Sequence, residues 1–397
     1  ARGAPGEAAP PHRAGPRGEP LPGEGTKHRR CPDRAHAVTP VSTAHTGPGP
    51  MPGTDPREAA RVVVGECHAM PFLAELPDRG PAADQTGRTL ALLADLPVDI
   101  STRGWRLATS PGRLARTASD LLDRDLDALE EADEVARDPE GDPAPADRRL
   151  QVRVLGPWSL AARLELPGGL PVLTDRGARR DLAGSLAGGV VGGVVRGAGR
   201  LGAGARILLD EPMLWHVAAG TVAGPSRFDP IAAVPEDQLS LTLCRFGDAL
   251  RRAGVADVVI RVPAGVEGEA PARWAVVAET PRDETPLDGL CVPAGLLHSG
   301  LSHSALDAAG TVLSDGRTLH LEGLPGTPRP PRTSGDVERS VSAVLSLLER
   351  LSAHRYAGLS QLVLTPTVDD MTSGRLTPAQ ALAAVRRVAE GAPRLAE

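Results

Sequence analysis

Lysine is almost missing from this 397-residue chain: Lys27 is the only one, and arginine carries the rest of the basic charge. With none beyond position 27, Schiff-base catalysis and a phosphate-binding P-loop lysine are excluded from everything downstream. Paired cysteines are missing as well. Cys31, Cys67, Cys244 and Cys291 are the only four, and their spacing suggests neither a disulfide framework nor a Cys-x-x-Cys zinc site. There is no basic surplus: 44 Lys and Arg stand against 50 Asp and Glu, a formal net charge of −6. That balance argues against a dedicated nucleic-acid binder. The uncharged stretch 182–195 falls short of the roughly twenty apolar residues of a membrane span, and residues 1–44 hold no apolar secretory core. These absences leave a cytoplasmic protein long enough to bury a full-sized core, with neither nucleic acid nor membrane as partner. Its oligomeric state is open.

What is present is organised around Ala205-Arg206-Ile207-Leu208-Leu209-Asp210-Glu211-Pro212-Met213-Leu214. Three aliphatic residues in a row read as a short buried strand. Two carboxylates and a proline end it, and proline cannot continue a central ladder. Acids at the carboxyl end of a strand are where an α/β barrel keeps its chemistry; a polar turn after a buried strand is the bland alternative.

Along the chain, residues 1–44 are rich in Pro, Gly and Arg and are expected to be unstructured. From Asp55 an N-cap candidate and Pro56 precede a helix over 59–64. Further helices are expected at 87–96 and 117–136, the second with Leu121, Leu122, Leu126 and Leu129 on one face, then a surface loop at 138–147. After that, strands at 150–155, 207–209, 258–260, 318–321 and 361–364 alternate with helices at 179–196, 239–253, 305–313, 337–353 and 378–390. Strands separated by helices pair in parallel, so the expectation is one (β/α)8 TIM-type barrel over 45–397.

Three signals are discounted. Gly197-Ala198-Gly199-Arg200-Leu201-Gly202 matches G-x-G-x-x-G, but a helix precedes it and a strand follows, the reverse of a dinucleotide site. His298, His303 and His320, with Cys291 and Glu322, match no spacing for zinc. Cys67-His68 reads as an inert thiol where a helix ends.

Several segments together carry a resemblance. In order they are Gly53-Thr54-Asp55-Pro56-Arg57-Glu58-Ala59, Phe72-Leu73-Ala74-Glu75-Leu76-Pro77-Asp78-Arg79-Gly80-Pro81, Ala83-Asp84-Gln85-Thr86-Gly87-Arg88-Thr89, Gly104-Trp105-Arg106, Asp125-Leu126-Asp127-Ala128-Leu129-Glu130-Glu131, Gly156-Pro157-Trp158-Ser159-Leu160, Leu209-Asp210-Glu211-Pro212 and Leu364-Thr365-Pro366-Thr367. From about Thr46 onward the chain resembles single-barrel actinobacterial proteins similar to the catalytic domain of cobalamin-independent methionine synthase. The resemblance implies transfer of a methyl group from a methyl-folate to the thiol of homocysteine, with zinc holding that thiol as thiolate.

The same resemblance sets the zinc ligands at Arg261 and Pro263, Pro293 and Val368, none able to ligate, and the homocysteine loop at Gly47-Pro48-Gly49-Pro50. It leaves Asp84, Trp158, Asp210 and Glu211 as substrate-binding residues, with Asp210 toward the substrate's ammonium. No metal ligand and no cofactor is therefore expected, and no catalytic residue is assigned. The expectation is a methionine-synthase-like protein that has lost zinc and is impaired in methyl transfer, with a small amino-acid or thiol ligand as the candidate partner. The alternative is an active S-methyltransferase with a rearranged zinc site using Cys291 and a nearby histidine such as His298. A weaker third reading is an unrelated barrel enzyme with Asp210 and Glu211 as acid and base. Arg261 itself is expected to pair with Asp210 or Glu211.

Overall fold

A computed structural model describes residues 43–137, 145–224, 230–263, 271–298, 303–326 and 330–396. All of them fall in the second of two units, Pro40–Glu397. The expected unstructured segment, up to residue 42, and most of the expected loop at 138–147 lie outside the described residues.

Among the described residues nine strands form: β1 (Ala44–His45), β2 (Val98–Ile100), β3 (Trp105–Leu107), β4 (Arg149–Leu155), β5 (Gly204–Asp210), β6 (Asp257–Arg261), β7 (Gly289–Pro293), β8 (Thr318–Glu322) and β9 (Leu362–Thr365). Seven of them make one sheet in the order β1-β9-β8-β7-β6-β5-β4, parallel at every junction. The pair β2-β3 is a separate antiparallel hairpin that the sequence pattern did not announce.

The expectation was eight strands, and the regular sheet has seven. The remaining segment, around Phe72 and Glu75, makes only isolated parallel bridges, one to Gln151 of β4 and one to Pro50 beyond β1. Its backbone still reaches both edges: Leu73 N donates to Gln151 O at 2.9 Å and Glu75 N to Gly49 O at 2.9 Å. The physical reason for so short a ladder is proline. Pro48, Pro50 and Pro71 have no N–H to give, so pairing here cannot run on.

Strand alternation divides the side chains between two faces. Ile207, Leu209, Val258, Ile260, Leu290, Leu319 and Leu364 join the helices in the main apolar core. On the other face Leu208, Val259 and Cys291 form a small cluster of their own. That face also carries Arg206, Asp210, Arg261, His320 and Glu322, brought side by side by the register.

The expected helices form with shifted ends. The first runs Pro56–Glu66, with the Asp55 carboxylate accepting from Arg57 N at 2.9 Å as its cap. The one expected over 179–196 begins at Arg176, opens into a π turn at Val191–Val195 and resumes as Arg196–Arg200. Glycine lets this helix close on its neighbour: a Cβ at Gly189 would lie 1.3 Å from the Leu92 carbonyl oxygen. The continuous run Arg176–Arg200 is long and apolar enough to cross a membrane by length and composition. Here its Leu182, Leu186, Val190 and Val194 are buried in the main core. The G-x-G-x-x-G stretch ends that run and leads into β5.

Candidate functional site

Strand β5 ends at Asp210 and the chain turns at Glu211, so adjacent side chains leave on opposite faces. Both are sealed from solvent at 0% exposure. Asp210 Oδ2 accepts from Gln85 Nε2 at 2.7 Å and from Arg153 Nε at 3.0 Å and Nη2 at 2.5 Å. Its Oδ1 accepts from Arg261 Nη1 at 3.2 Å. Arg261, at the end of β6, also grips Glu322 of β8 with two parallel bonds, Nε to Oε2 and Nη2 to Oε1, both 2.9 Å. Arg153 reaches the other way, with Nη1 on Glu75 Oε2 at 3.1 Å. The result is a chain of charge, Glu75–Arg153–Asp210–Arg261–Glu322, along the carboxyl ends of the parallel strands.

Three carboxylates meet two guanidiniums in this network, and the surroundings decide which acid stays charged. Burial pushes Asp210 up, but the charges of Arg153 and Arg261 outweigh it and hold it below the usual carboxylate range. Burial opposes the charge on Arg261 too, yet Asp210 and Glu322 raise it above an already high value. Glu75 goes the other way, because burial outweighs Arg153 and Arg88. One of its oxygens, Oε1, is buried with no hydrogen-bond partner. A proton on Glu75 would balance the network.

A second polar layer lies beneath. Arg149 Nε donates to Asp257 Oδ2 at 2.8 Å, and Arg206 Nη1 lies 3.4 Å from His320 Nε2. Burial and then the Arg206 charge hold His320 well below its ordinary value, so it is neutral.

Glu211 points away from all of this, at the N-terminus of the helix Pro157–Arg163. Its Oε1 accepts from Trp158 N at 3.1 Å; its Oε2 accepts from Ser159 N at 2.8 Å and from Ser159 Oγ at 2.6 Å. The fit requires Gly156, where a Cβ would sit 2.2 Å from Glu211 Oε1. Burial dominates over these donors and pushes the Glu211 carboxyl up to about 7.

The other two expected substrate residues are placed differently. Asp84 caps the helix Gln85–Ala91, accepting from Gly87 N at 2.7 Å, and it is the next residue, Gln85, that reaches Asp210. Trp158 is buried, donates Nε1 to Leu239 O at 3.3 Å and lies under the Arg179 guanidinium, 5.2 Å from ring centroid to Cζ. Of the four, Asp210 alone takes part in the charge network. Glu75, Gln85, Arg153 and the pairing role of Glu322 were missed. The available signal was Gln151 and Arg153 at alternate positions of an apolar strand, which puts polar groups on its non-core face.

The zinc that the resemblance implies does not fit this donor set. Its positions carry Arg261, Pro263, Pro293 and Val368; Pro263 offers a carbonyl already taken by Trp215 Nε1 at 3.2 Å, and Val368 opens the helix Val368–Thr372. Among the described residues, no group of three or more His, Cys, Asp and Glu side chains is placed to hold a metal ion. Cys291 is buried with Leu208 and Val259; burial and then Glu322 push its thiol up, away from thiolate. His298 and His303 are exposed. The Gly47–Pro50 loop is filled by its own fold, with a Cβ at Gly47 falling 2.2 Å from the Phe72 ring.

No family profile matches the sequence, and no curated protein matches it. Solved structures similar to this chain include a methyltransferase from Methanosarcina mazei, at 15% identity, 89% of this chain, 94% of that one and TM-score 0.47. Another, from Listeria monocytogenes, is described as a vitamin-B12-independent methionine synthase, at 14% identity, 90% and 98% coverage and TM-score 0.46. A third is a B12-independent methionine synthase from a Shewanella species in complex with selenomethionine, at 10% identity, 89% and 97% coverage and TM-score 0.49.

Proposed function

We propose that the chain is a cytoplasmic barrel of the methionine-synthase-like kind in which an ion-paired arginine stands where the resemblance puts the metal, and that it is impaired in methyl transfer. The segment around Phe72 and Glu75, which bridges both sheet edges, would be the eighth strand. The observation that carries the reading is Arg261, whose guanidinium spans Asp210 and Glu322. Guanidinium is permanently charged and repels a divalent cation. Asp210, toward which the resemblance turns the substrate's ammonium, already accepts from Gln85, Arg153 and Arg261. An amino-acid ammonium must displace one of them. Without a metal, a thiol at neutral pH is only a few per cent thiolate, so the attacking species is scarce. A small amino-acid or thiol ligand remains the class to test at this mouth.

Equilibrium dialysis of the full chain against zinc at neutral pH tests the proposal. The expected result is far less than one zinc per chain, and no methionine formed from homocysteine and methyl-folate. Stoichiometric, tight zinc binding that disappears in Cys291→Ser would overturn it and make Cys291 the metal thiolate of a rearranged site.

A further inference from the structure

Trp158 turns away from the charge network into a groove between the helices Arg176–Val190 and Glu236–Arg252. The groove is a cavity of about 440 Å3, with Trp158, Leu241 and Phe246 as apolar lining. Among the described residues four arginines line it as well, and no carboxylate does. Two of the four are spoken for: Arg245 Nε is 3.0 Å from Glu284 Oε1, and Arg180 is 3.8 Å from Asp181. Arg176 and Arg179 have no ion-pair partner among the described residues. Arg179 lies over the Trp158 indole, its Cζ 5.2 Å from the ring centroid, and its Nε is buried without a hydrogen-bond acceptor.

An unpaired, half-buried guanidinium beside a second cation is an unsatisfied arrangement. Burial and then the neighbouring Arg176 charge weigh against its proton, and the Asp175 carboxylate offsets them only in part. An anion that can offer two oxygens side by side, a carboxylate or a phosphate, is the group that answers it, through parallel N–H···O bonds. The indole and phenyl surfaces beside it suit an apolar body rather than a free ion.

We propose that this groove binds an anionic amphiphile: a carboxylate or phosphate head at Arg176 and Arg179, on an aromatic or short aliphatic body lying against Trp158, Leu241 and Phe246. The site is separate from the network at Asp210 and does not rest on the methyl-transfer reading.

The probe is 8-anilinonaphthalene-1-sulfonate, titrated by fluorescence into the full chain, with uncharged N-phenyl-1-naphthylamine as its partner. The expected result is one anionic probe per chain and at least tenfold weaker binding of the neutral one. Arg179→Met should weaken the anionic probe about tenfold or more, the scale of a lost charge-assisted pair, with an unchanged near-ultraviolet circular dichroism spectrum. Ala183→Trp, which fills the groove, should block it. Octanoate and octyl phosphate then compete for the site; displacement by the first assigns a carboxylate head, by the second a phosphate head. Equal affinity for the two probes, full affinity in Arg179→Met, or failure of both competitors overturns the proposal.

Discussion

Asp210 faces four donors, three of them on guanidiniums. Glu211, one residue later, faces two backbone N–H groups and a hydroxyl. Both acids are fully buried, yet one is held below and the other driven above its ordinary pKa. Burial penalises the charged form equally in kind on the two sides. Full positive charges reverse that penalty for Asp210, whereas neutral dipoles only reduce it for Glu211. The side that keeps its charge lies at the mouth of the sheet, and the side that tends to lose it anchors a helix.

The largest expected effect breaks the charged side. Arg261→Met removes the guanidinium shared by Asp210 and Glu322 and leaves buried carboxylates with less compensation. Such a loss costs roughly 3–5 kcal/mol at neutral pH, measured by urea denaturation. Arg261→Met with Glu322→Gln should recover most of it, because the acid that loses both its bonds is then neutral. A cost below about 1 kcal/mol for the single variant would mean that water, not Arg261, solvates these acids.

A smaller effect reads the other side through pH. Glu211 titrates near 7 in the folded chain and near 4.3 when unfolded. Between those values the folded state binds more protons, so this group's contribution to stability is fully present below about pH 4.3 and is lost as pH rises to about 7. The difference amounts to roughly 4 kcal/mol. Glu75 and His320 also shift, so the measurement is a difference of melting curves, unaltered chain against Glu211→Gln, from pH 4.5 to 8. The stability advantage of the unaltered chain should shrink across that window. A flat difference would show that the helix N-terminus keeps Glu211 ionised throughout.

How much of this was legible follows the same division. Buried apolar triplets such as Ile207-Leu208-Leu209 and Val258-Val259-Ile260 announced their strands, because aliphatic runs bounded by helices have few other ways to be buried. Proline-interrupted pairing was not legible: the chain around Phe72 to Glu75 has no strand-like alternation, and its bridges depend on Gln151 and Pro50 arriving from elsewhere. At the site, Arg261 with an acid of the preceding strand was legible, since β5 and β6 are neighbours in sequence and in space. Glu322 was not, because strand β7 and the helices on either side of it separate it in the chain from the guanidinium it holds. Asp210 and Glu211 looked equivalent in sequence; their opposite roles come from strand alternation, which puts one on Arg153 and the other on the helix Pro157–Arg163.

The finest test alters only the dipoles around Glu211. The Ser159 hydroxyl donates to Glu211 Oε2 at 2.6 Å and its oxygen accepts from Met213 N at 2.9 Å. Ser159→Ala removes both bonds while keeping the Ser159 backbone donor, and it should cost about 1–2 kcal/mol. A hydrogen bond to the charged form favours that form, so its loss should carry Glu211 above about 7 and extend the fall in stability to higher pH. On the Asp210 side nothing should change: the loss measured for Arg261→Met in a Ser159→Ala background should match that in the unaltered chain within about 0.5 kcal/mol. A larger coupling would mean that the two acids, back to back on one strand end, share a single electrostatic environment after all.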